Sequence, residues 1–328
     1  MKHMTALIVP AILVFILIFG SLLILFVTGN PTPSKKLTIS VILKTIDTNM
    51  EFWQVVKSGM QVAATENGVE LEITGPWVES DIEGQITIMR QVLKNKPKVI
   101  ILSATDYNKL VPLVQDAHDM GIPVVTLDSG VNSDIPVTFV ATNSIEAAEK
   151  LASYASGILK PGKPVAIINH VPGATTAMER EQGVRMVFEK ENKNPILGTW
   201  FTDNFQERAF AITTDLITKH KDLAAILAMN EISVIGAAQA IEQAGMAGQV
   251  KLFGFDNSLS EIQFMERGVL QATVIQKPFN MGYLAVKAAI AAVNKIKQDR
   301  FIDTGSVLIT PNNMYLPENQ KLLFPFIE

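Results

Sequence analysis

Four short apolar runs in this chain each end on a single polar side chain: VVTL on Asp128, AILAM on Asn230, KLFGF on Asp256 and ATVI on Gln276. Runs of that length read as buried strands, and in open α/β sheets ligands sit just beyond the carboxyl ends of strands. Two carboxylates that accept hydrogen bonds, with two amides that both donate and accept, form a set suited to a polar ligand. An Asp or Asn in such a place can also cap the following helix. Gln276 has no capping role, and the recurrence of the pattern favours a ligand. The four histidines, His3, His118, His170 and His220, show no metal-ligand spacing. His170 follows an apolar run and can look into the same crevice, with binding or capping as its expected role. Neither a phosphate-cradling glycine loop nor a nucleophile elbow is present. The only acid pair, Asp128 with Asp256, reads more simply as hydroxyl acceptors than as catalytic carboxylates, so no enzyme, cofactor or metal site is expected.

The elements that position these residues alternate strand and helix from Leu37 onward, the pattern of parallel sheets flanked by helices. Strands are expected over 37–43, 69–74, 98–103, 123–127 and 137–141, with helices over 51–67, 82–95 and 108–120 between them. After a turn at Pro161-Gly162-Lys163-Pro164, itself preceded by a helix over 144–159, a second series follows. Its strands fall at 165–169, 196–201, 224–229, 251–255 and 271–275, and its helices at 177–192, 205–219, 231–243 and 259–267. A long Ala-rich helix over 279–297 and a last strand near 306–309 complete the pattern. The 328 residues exceed the size at which one core usually stops growing, and two successive doubly wound α/β halves are the simplest account.

Composition narrows the partners. A formal charge of −4 and no Lys/Arg cluster argue against a nucleic-acid surface. The chain has no cysteine, which excludes disulfides, thiolate metal sites, a cysteine nucleophile and the acylated N-terminal cysteine of a bacterial lipoprotein. A tether is expected elsewhere: Leu7 to Val27 carry no charge and are rich in Leu, Ile, Phe and Val, long enough at about 1.5 Å per residue to cross a ~30 Å hydrocarbon core. A signal peptide has a shorter apolar core and a small-x-small site, which Val27-Thr28-Gly29 matches poorly. The expectation is an uncleaved signal anchor over 7–28, a short cytoplasmic tail over 1–6 and a stiff extended linker over 29–36 containing Pro31 and Pro33. The globular part then lies on the extracytoplasmic face of the cell membrane.

From about Leu37 to Ile309 the chain resembles the sugar-binding periplasmic proteins of the ribose-binding type, the type I solute-binding proteins. The residues that carry the likeness are Phe52-Trp53 after the first strand, Ile122-Pro-Val-Val-Thr-Leu-Asp128, Thr175 to Gly183 ahead of a helix, Asn230, Gly254-Phe255-Asp256 and Gln276-Lys277-Pro278. The resemblance implies two lobes joined by three crossovers, near Ala141-Thr142, Gln276-Lys277 and Asp303-Thr304. The lobes would then be 37–141 with 277–303, and 142–276 with 304–328. It also implies ligand-binding roles for Phe52, Trp53, Asp128, Asn230, Asp256 and Gln276.

A sugar offers hydroxyl edges and apolar C–H faces; Phe52 and Trp53 can cover a face while the carboxylates and amides take the edges. Several positions depart from the ribose-binding pattern. An arginine expected after Asp128 is Ser129, and the arginine ahead of the next helix is Met178, with Arg180 nearby. An aromatic falls at Asn204, beside Phe205, and an asparagine falls at Met50, beside Asn49. Asn49, Arg180 and Asn204 are carried as neighbouring candidates. The expected function is a membrane-anchored receptor for a monosaccharide or polyol that closes by a hinge. The expected membrane partner is an ABC permease, the chain being its substrate-binding component. The alternative is a sensor subunit acting on a histidine kinase. A sugar-responsive repressor shares the core but needs a basic helix-turn-helix where this chain has its apolar span.

Overall fold

The computed structural model describes residues 36–324 together with Ile18 and Phe19. The expected tail over 1–6, the span over 7–28 apart from those two residues, and the linker apart from Lys36 lie outside the described residues. Among the described residues no helix is long and apolar enough to cross a membrane. The compact unit beginning at Thr38 holds every element named below.

The first half runs β1 (Thr38–Ile42), α1 (Glu51–Asn67), β2 (Glu70–Thr74), α2 (Ile82–Lys94), β3 (Ile100–Leu102), α3 (Val111–Asp119), β4 (Val124–Leu127) and β5 (Thr138–Ala141). The second runs α4 (Ser144–Ile158), β6 (Val165–Asn169), α5 (Thr175–Glu191), β7 (Ile196–Phe201), α6 (Gln206–Lys219), β8 (Ala225–Ala228), α7 (Glu231–Gln243), β9 (Lys251–Phe255), α8 (Leu259–Glu266) and β10 (Leu270–Ile275). Then come α9 (Pro278–Val293), β11 (Phe301–Asp303), β12 (Val307–Ile309) and α10 (Pro317–Leu323). Two six-stranded sheets result, ordered β11-β5-β4-β3-β1-β2 and β12-β10-β9-β8-β6-β7. Every pairing is parallel except that of β10 with β12. The chain therefore passes between the sheets after β5, after β10 and after β11.

Central strands are apolar on both faces because helices cover both: β3, β4 and β8 are buried at every residue. β2, at a sheet edge, alternates exposed and half-buried positions instead. The helix expected over 108–120 is shorter, running over Val111–Asp119 with Pro112 in its first turn. The Ala-rich helix stops at Val293 rather than 297, because Lys295 turns left-handed at φ 57°. α5 begins at Thr175, two residues earlier than the pattern suggests. β11 and α10 had no counterpart in the sequence reading.

Two crossovers lie side by side, with Thr304 N donating to Ala141 O at 2.9 Å and Asn143 N to Asp303 Oδ1 at 3.1 Å. After the remaining crossover, the one that follows β10, α9 docks directly on α1. A Cβ placed on Gly59 would sit 2.0 Å from Phe279 O, and one on Gly282 would sit 2.0 Å from Val56 O. Only glycine permits backbones so close, and the packing fixes α1, which carries Phe52 and Trp53, against the crossover that carries Gln276.

Candidate ligand-binding crevice

Asp128 and Asp256 occupy equivalent places, after β4 of the first sheet and β9 of the second. Both have left-handed backbones, φ 60° and 74°, a conformation that costs a non-glycine residue roughly 1–3 kcal/mol and gathers at functional sites. Both carboxylates line one small void between the lobes, about 30 Å³ in volume.

Seven of the nine candidates meet there: Phe52, Trp53, Asp128, Arg180, Asn230, Asp256 and Gln276. Asn204 does not line the void. It stands beside it, accepting from Asn230 Nδ2 at 2.6 Å and donating to Met50 Sδ at 3.5 Å. Asn49 is exposed and bonded locally to Asp47 Oδ1 at 2.9 Å, outside the lining. Asn230 also keeps its capping role, its Oδ1 accepting from Ser233 N at 3.1 Å. Trp53 is 1% exposed and donates from Nε1 to Glu79 Oε1 at 2.9 Å, so one ring serves both core and wall.

Lys44, Met50, Glu79, His170 and Thr176 also line the void and were not among the site candidates, although His170 had been placed toward the crevice. Lys44 stands two residues past the end of β1 and directly after the run LTISVIL, so the rule of a polar residue ending an apolar run finds it. The same rule applied to VAIIN reaches His170. Glu79 and Thr176 stand in a loop and a first helical turn, where no strand run marks them.

The first-lobe carboxylate is held by a buried ion pair, Lys44 Nζ to Asp128 Oδ2 at 2.8 Å, both side chains 4% exposed. This lysine puts a cation beside Asp128 although Ser129 stands where the family pattern has arginine. Asp256 is held differently. Gln276 Nε2 donates to Oδ1 at 2.6 Å, Glu231 N to Oδ2 at 3.3 Å, and Arg180 Nη1 lies 3.8 Å away. Arg180 is itself fixed by Met229 O at 2.6 Å and by the Phe255 ring, 4.4 Å beneath its guanidinium. Burial raises the pKa of Asp256, against the pull of Arg180 and Gln276. Burial likewise raises Glu79, opposed by Lys44 and Trp53. His170 is pushed well below the usual imidazole range by burial and by Lys44 and Arg180, so it is neutral, with Nε2 bonded to Thr176 Oγ1 at 3.1 Å. Two buried polar atoms of this lining, Arg180 Nε and His170 Nδ1, have no partner, and buried groups of that kind call for one.

The lobes are shut over the crevice. Lys44 Nζ reaches Thr176 Oγ1 at 3.2 Å, Thr175 Oγ1 reaches Gly130 O at 3.0 Å, and Tyr107 N reaches Gly173 O at 2.8 Å. Among the described residues, no group of three or more His, Cys, Asp or Glu could hold a metal ion. The arrangement is one of neutral and paired charged hydrogen-bonding groups around a small void, suited to binding a hydroxylated molecule.

A family model described as a periplasmic binding protein domain matches residues 39–297. The chain is 26% identical over 261 residues to the ribose import binding protein of Bacillus subtilis, spanning 80% of this chain and 83% of that one. It is 26% identical over 294 residues to the D-ribose/D-allose-binding protein of Pseudomonas aeruginosa, spanning 85% and 90%. Among solved structures, an ABC transporter solute-binding protein of Agrobacterium vitis with bound D-fucose superposes with a TM-score of 0.84 at 32% identity, covering 87% of this chain and 99% of that one. A carbohydrate transporter solute-binding protein of Agrobacterium radiobacter in complex with D-arabinose gives 0.84 at 29%, covering 88% and 99%. The match to the family model spans most of the sequence, and the chain belongs to the periplasmic binding protein family, whose members are solute-binding proteins rather than enzymes.

Proposed function

We propose that this protein is an extracytoplasmic monosaccharide-binding protein, the substrate-binding component of a sugar ABC transporter. The observation that carries the reading is the pair of left-handed aspartates, Asp128 and Asp256, facing one void from opposite lobes. Each presents carboxylate oxygens to hydroxyl donors, and charge-assisted bonds of that kind are short and strong. Phe52, at the mouth of the same void, offers a flat apolar face. Relatives described as binding ribose, allose, arabinose and fucose support a monosaccharide. Asn230, Gln276 and Arg180 complete the contacts, with Asn204 and Asn49 as outer candidates. The segments 37–141 with 277–303 and 142–276 with 304–328 act as the two closing bodies.

The apolar span over 7–28 serves as an uncleaved anchor that holds the binding domain outside the cell membrane, in place of a lipid on an absent cysteine. That fixed tether also suits a second reading, in which the closed form docks on a membrane histidine kinase instead of a permease. Reconstitution with each membrane partner separates the two: sugar uptake for the first, kinase autophosphorylation for the second.

The test of the binding reading is a thermal-shift screen of the protein against D-ribose, D-allose, D-arabinose, D-fucose, further hexoses, polyols and sugar phosphates. A ligand at a hundredfold excess over its dissociation constant stabilises by about 2.7 kcal/mol. A clear rise in Tm with a neutral monosaccharide is expected; no rise with any of them refutes the reading.

A further inference from the structure

A second cavity adjoins the crevice. It measures about 90 Å³, against about 30 Å³ for the void between the aspartates, and Phe52, Asp256 and Gln276 line both. The two spaces are therefore neighbours across those three side chains. The starts of α1 and α9 supply Val55, Pro278 and Phe279 to the cavity, and the close backbone approaches at Gly59 and Gly282 hold these helices together. α10 completes the lining with Lys321 and Leu322. That helix is fixed from two sides. Leu323 is buried in the core that also holds Leu252 of β9 and Ile309 of β12, and Asn257, the residue after Asp256, donates from Nδ2 to Leu322 O at 3.4 Å and Leu323 O at 3.2 Å.

The chemistry of this lining repeats that of a sugar site. Phe279 is 38% exposed, an aromatic side chain left open in a concave wall beside Val55, Pro278 and Leu322. Asn257, Lys277 and Lys321 stand around that apolar surface, and an apolar face with a few polar groups at its margin suits a ring that carries hydroxyls on its edge. The charges are matched, Lys277 and Lys321 against Glu51 and Asp256, which favours a neutral occupant over an anionic one. We propose that the cavity is a second subsite, and that the crevice takes a glycoside: one ring between Asp128 and Asp256, and a second, neutral ring against Phe279. The proposal rests on the sugar reading and extends it. The substituent on the glycosidic oxygen passes Phe52 and Gln276 to reach the cavity. Because α9 packs on β3, β4 and β5 of the first sheet while α10 is anchored in the core of the second, the second ring touches both halves and is gripped when they close.

The test is calorimetric titration of the full-length protein, purified in mild detergent, with D-ribose, D-allose, D-arabinose and D-fucose and with the methyl and 4-nitrophenyl glycosides of each. The methyl glycosides control for the blocked anomeric hydroxyl; the 4-nitrophenyl glycosides add a neutral ring. At least one 4-nitrophenyl glycoside is expected to bind as tightly as its methyl counterpart, or more tightly. Leu322→Trp, which fills the cavity, and Phe279→Ala, which removes its flat face, should each weaken that ligand at least about tenfold. Both should leave the methyl glycoside within about twofold, with Tm measurements confirming that each variant folds. Monosaccharides that bind while every 4-nitrophenyl glycoside is weaker than its methyl counterpart by about tenfold or more overturn the subsite and leave the sugar reading standing. A 4-nitrophenyl glycoside whose affinity neither variant changes, or one weakened only in step with the methyl glycoside, also overturns it. Failure of every sugar and glycoside to bind refutes both.

Discussion

The two halves of the crevice repeat one backbone solution with different electrostatics. Asp128 and Asp256 stand after equivalent strands in the same left-handed turn, yet Asp128 is locked by a lysine at 2.8 Å while Asp256 leans on an amide, a backbone N–H and an arginine 3.8 Å away. A tightly paired carboxylate offers its remaining lone pairs in fixed directions. One held mainly by neutral donors, with its pKa raised by burial, answers more readily to what binds. The fold duplicates the scaffold; the side chains after β1, β6 and β10, namely Lys44, His170 and Gln276, make the two halves unlike.

Substitution by the isosteric amide sharpens that difference. Asp128→Asn takes from Lys44 the counter-charge at 2.8 Å and leaves it a buried cation bonded to neutral oxygens, Thr176 Oγ1 and the amide oxygen, and leaving one member of a buried pair uncompensated costs about 3–5 kcal/mol. Chemical denaturation should show a loss of that size. Asp256→Asn should cost less, about 1–3 kcal/mol, because Arg180 keeps Met229 O and the Phe255 face. Both variants should weaken sugar affinity at least about tenfold, since each removes a charged acceptor at about 1.4 kcal/mol per decade; calorimetric titration measures it. Equal stability losses would mean that the lysine pair is no tighter than its counterpart.

The pH profile discriminates next. Glu231, raised to about 8 by burial and by Asp256 and Glu51, holds its proton in the folded state and loses it when unfolded. Its stabilising effect is complete below the ordinary carboxylate range and is lost as pH rises through about 8. His170, lowered by burial, acts oppositely and costs stability only as pH falls below about 6.5. Tm should therefore fall between about pH 6.5 and 8, and Glu231→Gln should flatten that fall; an unchanged slope contradicts the assignment. The smallest effect belongs to Asn49→Ala. Its side chain is exposed and bonded only to Asp47, so affinity should stay within about twofold.

The parallel strands and the paired aspartates were legible because burial on both faces forces continuous apolar runs, and the polar residue that ends such a run is visible in one dimension. Lys44 obeys the same rule and was passed over because LTISVIL was read for its strand alone. Glu79 and Thr176 left no such mark, since a loop residue reaches a crevice only through tertiary packing. β11 is three residues long with an exposed, half-buried, exposed pattern, too short to show a period.

The most direct test of the account is a crystal structure of the protein with the monosaccharide that stabilises it most. The account predicts one sugar in the closed crevice, with hydroxyls within about 2.6–3.2 Å of carboxylate oxygens on both Asp128 and Asp256. A sugar seated elsewhere, or bonded to neither aspartate, would contradict it.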